Sequence, residues 1–290
     1  MSAAPLKQIL AGARARFSEV GIAPVDAELL AAHILQIGRM ELHAREYQFT
    51  SEQSEEFDEL VARRLTGIPL QYLTGSAPFR HLEFDVGPGV LIPRPETELL
   101  VEAALVEIER IQSHRDWRAG SRTSVVDLGA GSGAIAISIS SEARSRGLQV
   151  QVVAVEREPA AITWLERNIA KHDVDIRVIR GDVRDALRDV RADLVVANPP
   201  YIPSDQEIPR EVREHEPASA LFGGKRGIEA PVEFIHAATR ILKAGGFLAL
   251  EHHETQAQEL AAVLATDYLS IEAFTDLNQR PRWLTARRRG

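Results

Sequence analysis

The chain has 290 residues, a length that suggests two domains, and its 44% hydrophobic and 26% charged residues are the balance of a soluble globular protein with a sizeable core. It has no cysteine, which excludes disulfides and thiolate metal sites, and no run reaches the roughly eighteen apolar residues of a membrane span. A net charge of −8 weighs against duplex nucleic acid as the main partner, and the basic tail Arg287-Arg288-Arg289 is too short to reverse this. The N-terminus carries no long apolar stretch of the secretory kind, so a cytoplasmic location is the expectation.

Residues 6–20 place Leu6, Ile9, Leu10, Ala13 and Phe17 on one helical stripe. Pro24 and Asp26 open a second helix with Leu29, Leu30, Ile34 and Leu35 on its buried side. Thr50-Ser51 then cap a helix with an acidic first turn, ending near Gly67. These segments predict a small helical domain over 1–75, poor in motifs. His33 and His43 read as structural, as do His252-His253, which also fit a pocket lining; none has metal-ligand spacing.

The pattern changes at Pro69. Leu82, Phe84 and Val86 alternate with polar residues, Gly87-Pro88-Gly89 turns the chain, and Val90-Leu91-Ile92 follows. This predicts a β-hairpin connector over 76–95. Pro95, followed by Glu96 and Glu98, starts a helix. The segment 113–123 reads as a surface loop. From residue 124 strands at 125–128, 150–155, 176–179, 193–197 and 247–251 alternate with helices, with Gly245-Gly246 breaking the chain before the fifth. Two further strands are expected near 270–275 and 282–286. The alternation predicts an α/β domain over 96–290 with a mainly parallel sheet covered on both faces.

The chemistry gathers at the strand ends, where open α/β sheets bind ligands. Gly129-Ala130-Gly131-Ser132-Gly133 follows the first strand, and its glycines let backbone approach a ligand. Gly129, Gly131 and Ala134 also satisfy the dinucleotide fingerprint, so the loop alone does not choose between a nicotinamide and another nucleoside cofactor. Glu156 ends the second strand, placed to accept from ribose hydroxyls. Asp127, two residues before the loop, would repel phosphates but suits an ammonium or a water beside one. Asp182 and Val183 follow the third strand, where a carboxylate and a backbone N–H suit an adenine edge; Gly181-Asp182 also fits plain turn chemistry.

Asn198-Pro199-Pro200-Tyr201 follows the fourth strand. Two prolines remove two donors and fix two φ angles, leaving a stiff turn rich in acceptors. It suits a flat guest bearing N–H groups, such as a carboxamide or an exocyclic amine.

Asp127 to Gly133, Glu156, Asp182 and Asn198 to Tyr201, in this order, resemble the class I S-adenosylmethionine-dependent methyltransferases. More closely, the chain resembles the HemK/PrmC family of glutamine N5-methyltransferases that modify class I peptide chain release factors. Pro69 to Gly75, Leu91-Ile92-Pro93-Arg94-Pro95-Glu96-Thr97-Glu98, Glu216-Pro217, Ala220-Leu221 and Gly227 carry this resemblance. It spans residues 69 onward and the layout of the N-terminal helices. Glu156 stands where many members have Asp, Val183 where some have an aromatic, and Asp276 to Arg282 only partly matches the usual loop.

The resemblance implies a Rossmann-like, mainly parallel seven-stranded sheet with a small N-terminal helical domain that recognises the substrate. It implies S-adenosylmethionine as cofactor, held by Asp127, Gly129, Ala130, Gly131, Ser132, Gly133, Glu156, Asp182, Val183 and Asn198. It implies Asn198, Pro199, Pro200 and Tyr201 as the catalytic and substrate-binding turn, and a class I release factor, modified on the glutamine of its GGQ motif, as partner. A monomer with no metal, no membrane contact and no direct nucleic-acid contact is expected. The turn by itself leaves a ribosomal-protein glutamine and an adenine-N6 methyltransferase as alternatives. A nicotinamide oxidoreductase would leave the turn unexplained, and a non-catalytic adaptor would leave the pocket residues unexplained.

Overall fold

The computed structural model describes residues 5–114, 118, 120–276 and 278–290. The expected loop 113–123 and the segment 276–282 therefore lie partly outside the described residues. The chain divides into two compact units, Met1–Ser76 with Pro209–His215, and Ala77–Ile208 with Glu216–Gly290.

The first unit is helical: α1 Leu6–Glu19, α2 Val25–Leu35, α3 Glu41–Ala44, α4 Ser51–Leu65 and α5 Leu70–Thr74. Phe17, Leu30, Phe57 and Val61, from three of these helices, are almost wholly buried in its core. Thr50 starts α4 with a reciprocal cap: its hydroxyl accepts from the Gln53 N–H at 3.2 Å, and the Gln53 side chain accepts from the Thr50 N–H at 3.0 Å. The short helix Arg210–His215 belongs to this unit although it lies far along the sequence. Arg64 explains why: its buried guanidinium donates to Asp26 and to Glu211, both at 2.8 Å, so each carboxylate offsets the burial of its charge.

A hairpin follows, β1 Ser76–Phe79 and β2 Leu82–Asp85, all of it but Ser76 in the second unit. This corrects the expected hairpin around Gly87-Pro88-Gly89: the turn is at Arg80-His81, with Arg80 at φ 55°, and 90–92 is not a strand. The glycines serve close packing instead. A Cβ at Gly87 would stand 2.5 Å from the Trp164 ring, and one at Gly89 2.7 Å from the Ala160 Cβ. Arg80 also anchors the hairpin, donating to Glu102 at 2.8 Å and to Glu142 at 2.7 and 2.6 Å.

A 3-10 turn, Pro95–Thr97, leads into α6 Glu98–Gln112. Then follow β3 Thr123–Leu128, α7 Ala134–Ser145, β4 Val150–Glu156, α8 Pro159–His172, β5 Ile176–Arg180 and β6 Ala192–Ala197. After α9 Arg210–His215 come α10 Ala218–Leu221, α11 Glu229–Ile241, β7 Leu242–Glu251, α12 Ala257–Leu264, β8 Tyr268–Thr275 and β9 Pro281–Arg288. Seven strands form one sheet in the order β5-β4-β3-β6-β7-β9-β8, parallel except where β9 runs against β7 and β8. This is the mainly parallel seven-stranded sheet that the alternating pattern and the resemblance implied.

Gly245-Gly246 is a bulge inside β7, where the expectation was a break. Ala192 pairs with Leu242 and Leu194 with Phe247, so residues 243–246 loop out of register. The chain reverses its direction of strand addition beside β3, which opens a crevice at the C-terminal ends of β3 and β6. Among the described residues no helix is long and apolar enough to cross a membrane.

Candidate functional site

Each wall of the site begins as a strand end. β3 is buried along nearly its whole length, and the chain leaves it through Gly129, Gly131 and Gly133, all at positive φ. Glu156, the last residue of β4, fixes this loop. Its Oε2 accepts from the Gly131 N–H at 2.8 Å, and its Oε1 accepts from the Arg157 and Glu158 N–H groups at 2.8 and 2.9 Å. Asn168 of α8 buttresses the same loop, donating to the Ser132 carbonyl and the Asp85 carbonyl at 3.0 Å each.

Asp182 follows β5 at the rim. Arg184 donates to it from its guanidinium and its backbone, and Arg157 adds a bond at 3.1 Å. Led by the Arg184 hydrogen bond, these partners hold the carboxyl far below the usual carboxylate range.

One cleft joins these strand ends. Gly129, Ala130, Gly131, Ser132, Glu156, Asp182, Val183, Asn198 and Pro200 line it, and Arg94, Thr97 and Phe234 complete the wall around them. Asp127, Gly133, Pro199 and Tyr201 do not line it. Asp127 lies fully buried beneath the loop, where Oδ2 accepts from the Ala136 N–H at 3.1 Å. It thereby satisfies a free donor at the start of α7. Among the described residues its other oxygen, Oδ1, has no partner. Gly133 is set between Leu165 and Ile137, which leave no room for a Cβ.

Burial, with Glu156 adding to it, pushes the Asp127 carboxyl up to about 7 from an ordinary 3.8. A carboxyl raised on folding binds its proton more tightly in the folded chain. Its contribution to stability is full below about pH 4 and is lost as pH rises through 7. Asp127→Asn removes this titration. Between pH 4 and pH 8, the unfolding free energy should shift in favour of the variant by at most about 4 kcal/mol. Urea unfolding across that range checks this; a pH-independent difference would refute the assignment.

The turn after β6 is held from three directions. Asn198 Nδ2 donates to Thr97 Oγ1 at 3.0 Å, and Thr97 Oγ1 donates to Glu251 Oε2 at 2.7 Å. The Tyr201 hydroxyl donates to Glu251 Oε1 at 3.0 Å, and Gln256 Nε2 donates to the Tyr201 carbonyl at 3.0 Å. Burial and the Glu251 charge push the Tyr201 phenol well above the usual range, so it is a neutral donor and not a base. Glu216, also buried, accepts from Arg94 at 2.6 Å and from the Ile92 N–H at 3.1 Å, which ties the segment before α6 to the segment after α9.

That later segment packs on the turn. Ile202 and Phe222 form a bridge, and a Cβ at Gly223 would lie 2.4 Å from the Pro200 carbonyl oxygen and 2.5 Å from that of Gly227. Gly223→Ala is therefore expected to displace Pro200 and cost about 1–3 kcal/mol of stability. Denaturant unfolding measures the cost; an unchanged midpoint would contradict the packing argument.

The stretch from Arg94 to Thr97 reads from the sequence as a candidate wall of the cofactor pocket or as a helix cap, and Arg94 and Thr97 line the cleft. Glu251, Glu216, Asn168 and Gln256 were not singled out as site residues from the sequence. A signal existed for Glu251, a carboxylate closing the apolar run Phe247–Leu250 at the same sheet edge as Asn198.

The PrmC N-terminal domain family matches residues 8–75, and the methyltransferase small domain family matches residues 107–214. The release factor glutamine methyltransferase of Mycolicibacterium smegmatis is 38% identical over 293 residues, covering 98% of this chain and 98% of its own. That of Streptomyces coelicolor is 37% identical, covering 96% of each chain. Among solved structures, a T. Thermophilus 16S rRNA N2 G1207 methyltransferase in complex with AdoMet and guanosine aligns with a TM-score of 0.51 and 22% identity, over 74% of this chain and 50% of its own. A methyltransferase from Pyrococcus furiosus aligns with a TM-score of 0.50 and 16% identity, over 83% of this chain and 100% of its own. These structures share the class I methyltransferase fold.

Proposed function

We propose a mechanism from one premise: this chain belongs to the release factor glutamine methyltransferase family. The reaction is transfer of a methyl group from S-adenosylmethionine to the side-chain amide nitrogen, N5, of a glutamine in a class I peptide chain release factor. The observation that carries this reading is that Asn198 and Pro200 share one cleft with Gly129–Ser132, Glu156 and Asp182.

The cleft fits the cofactor. Glu156 and Asp182 offer acceptors for hydroxyls and an exocyclic amine, while Ala130, Ile135, Val183 and Phe234 offer apolar wall to a nucleoside. When bound, S-adenosylmethionine supplies an electrophilic methyl group on a sulfonium. Gly129–Ser132, Glu156, Asp182 and Val183 are its holders in this reading, with Asp127 and Gly133 acting from below by fixing the loop.

A carboxamide nitrogen is a poor nucleophile, because its lone pair is delocalised into the carbonyl. The chain must therefore orient it. In this reading Asn198 Oδ1, on the cleft wall, accepts an amide hydrogen, turning the nitrogen toward the methyl group and favouring the positive charge that develops on it, while Pro199, buried behind the wall, holds Asn198 in place. Tyr201, braced on Glu251, stiffens the turn. No strong base is required before transfer, since the methylated amide cation loses its proton readily. Positioning then supplies most of the rate.

The helical unit is the part we assign to recognition of the release factor. A cytoplasmic monomer acting on protein completes the reading, and the net charge of −8 supports protein over nucleic acid as substrate. The test is intact-mass analysis of a class I release factor incubated with this protein and S-adenosylmethionine, followed by mapping. One added methyl on the glutamine of the GGQ motif is the expected result. Labelled cofactor that marks only nucleic acid would overturn the proposal.

A further inference from the structure

Glu251 is 2% exposed and its two oxygens serve two different parts of the site. Oε2 receives the Thr97 hydroxyl and Oε1 receives the Tyr201 hydroxyl. An ionised carboxylate only accepts, and a threonine hydroxyl has a single hydrogen. With that hydrogen committed to Glu251, Thr97 can only accept from Asn198. The amide of Asn198 must then turn its NH2 to Thr97, which leaves Oδ1 for the cleft. A substrate carboxamide NH2 only donates, so Oδ1 is the end it needs.

We propose that Glu251, acting through Thr97, sets which end of the Asn198 amide meets the substrate. Both are positioning residues for methyl transfer. The inference rests on the reading of Asn198 as the acceptor of the substrate amide.

The relay depends on the charge of Glu251. Protonated, Glu251 can donate to Thr97, which frees the threonine hydrogen for Asn198 Oδ1 and lets the amide turn its NH2 into the cleft. Burial pushes this carboxyl up to about 7; the Thr97 and Tyr201 hydrogen bonds and the Arg282 charge oppose that, and Glu96 adds to it. Arg94 acts on the neighbouring Tyr201, and the His253 ring lies 6.4 Å from the Tyr201 ring. Burial lowers both His252 and His253 below the usual histidine value. The competent form is the carboxylate, so activity should rise with pH through about 7 and be lost below it.

The test uses the full chain, S-adenosylmethionine and a purified bacterial class I release factor. Thr97→Val keeps the shape and removes the hydroxyl. It should lower kcat at least about tenfold while KM and the cofactor Kd move less than about threefold. Thr97→Ser keeps the hydroxyl and should stay within about threefold of the parent kcat. A mere packing role predicts the reverse order, because Thr97 is 4% exposed and serine loses a buried methyl. Thr97→Val at parental kcat, or serine worse than valine, overturns the inference. Calorimetric titration with the cofactor identifies folded variants. Where Thr97→Val does not bind it, the pH profile decides: kcat of the parent should fall below about pH 7 and that of Glu251→Gln should not, and identical acid limbs overturn the inference. A parent protein that leaves the release factor unmethylated removes the functional reading itself, whereas an active parent matched by Thr97→Val removes only the relay.

Discussion

Asn198→Ala is expected to lower methyl transfer to the release factor by about 100-fold or more, with the cofactor Kd held within about tenfold. The two effects separate because Asn198 is at the cleft's substrate side in the proposed reading, while Glu156 and the glycine loop, at the ends of β4 and β3, hold the cofactor in that reading. Alanine removes the acceptor that aligns the amide nitrogen, and the loss falls on kcat, since an unaligned amide can still enter the cleft. The truncation leaves Thr97 without its donor but keeps the Thr97–Glu251 bond. The fold should therefore survive. Single-turnover assays with saturating cofactor, beside calorimetry, make the comparison. Turnover near the parental rate would remove Asn198 from the mechanism.

Glu156→Ala should act on the other half of the site. One carboxylate there accepts from three backbone N–H groups, those of Gly131, Arg157 and Glu158. Hydrogen bonds to a charged group contribute about 1.5–3 kcal/mol each, and three donors lose their partner together. Water reaching the cleft rim will recover part of this. We expect about 2–4 kcal/mol of lost stability, a value at the upper end for one substitution. The glycine loop would also lose its fixed shape, so the cofactor should bind at least about 100-fold more weakly. Glu156→Gln should fall between, because one carbonyl oxygen cannot serve three donors and the new NH2 faces them. Calorimetry and urea unfolding measure both quantities; parental cofactor affinity in the alanine variant would refute the role.

In the proposed reading, these two variants and the Thr97 series divide the site into a part that holds the nucleoside and a part that aims an amide. Glu251 joins the second part from a strand that carries no motif of its own. It braces Tyr201 directly and Asn198 through Thr97, so both ends of the proline turn answer to one buried carboxyl. The prolines limit the backbone, and Glu251 limits the side chains.

The amino-acid sequence alone determined the alternation of strand and helix from residue 124, because buried parallel strands are short apolar runs and their helices carry a 3.6-residue stripe. It also placed the glycine loop, Glu156, Asp182 and the Asn198–Tyr201 turn at strand ends, since each follows its run directly. Spatial order was not local information. That β3 lies between β4 and β6, so that the first and fourth strand ends share one cleft, follows from sheet topology. Local signals also misled where a tertiary demand used the same residues. Gly87-Pro88-Gly89 looks like a hairpin turn, yet its glycines make room for Trp164 and Ala160 of α8. Asp127 looks like a ligand to the cleft, yet burial under the loop assigns it to the start of α7. Arg64 draws Glu211 into the helical unit across 147 residues of sequence separation, and Thr97 meets Glu251 across 154. Hydrogen bonds between side chains so far apart leave no period or spacing to read, so only the folded chain could bring them together.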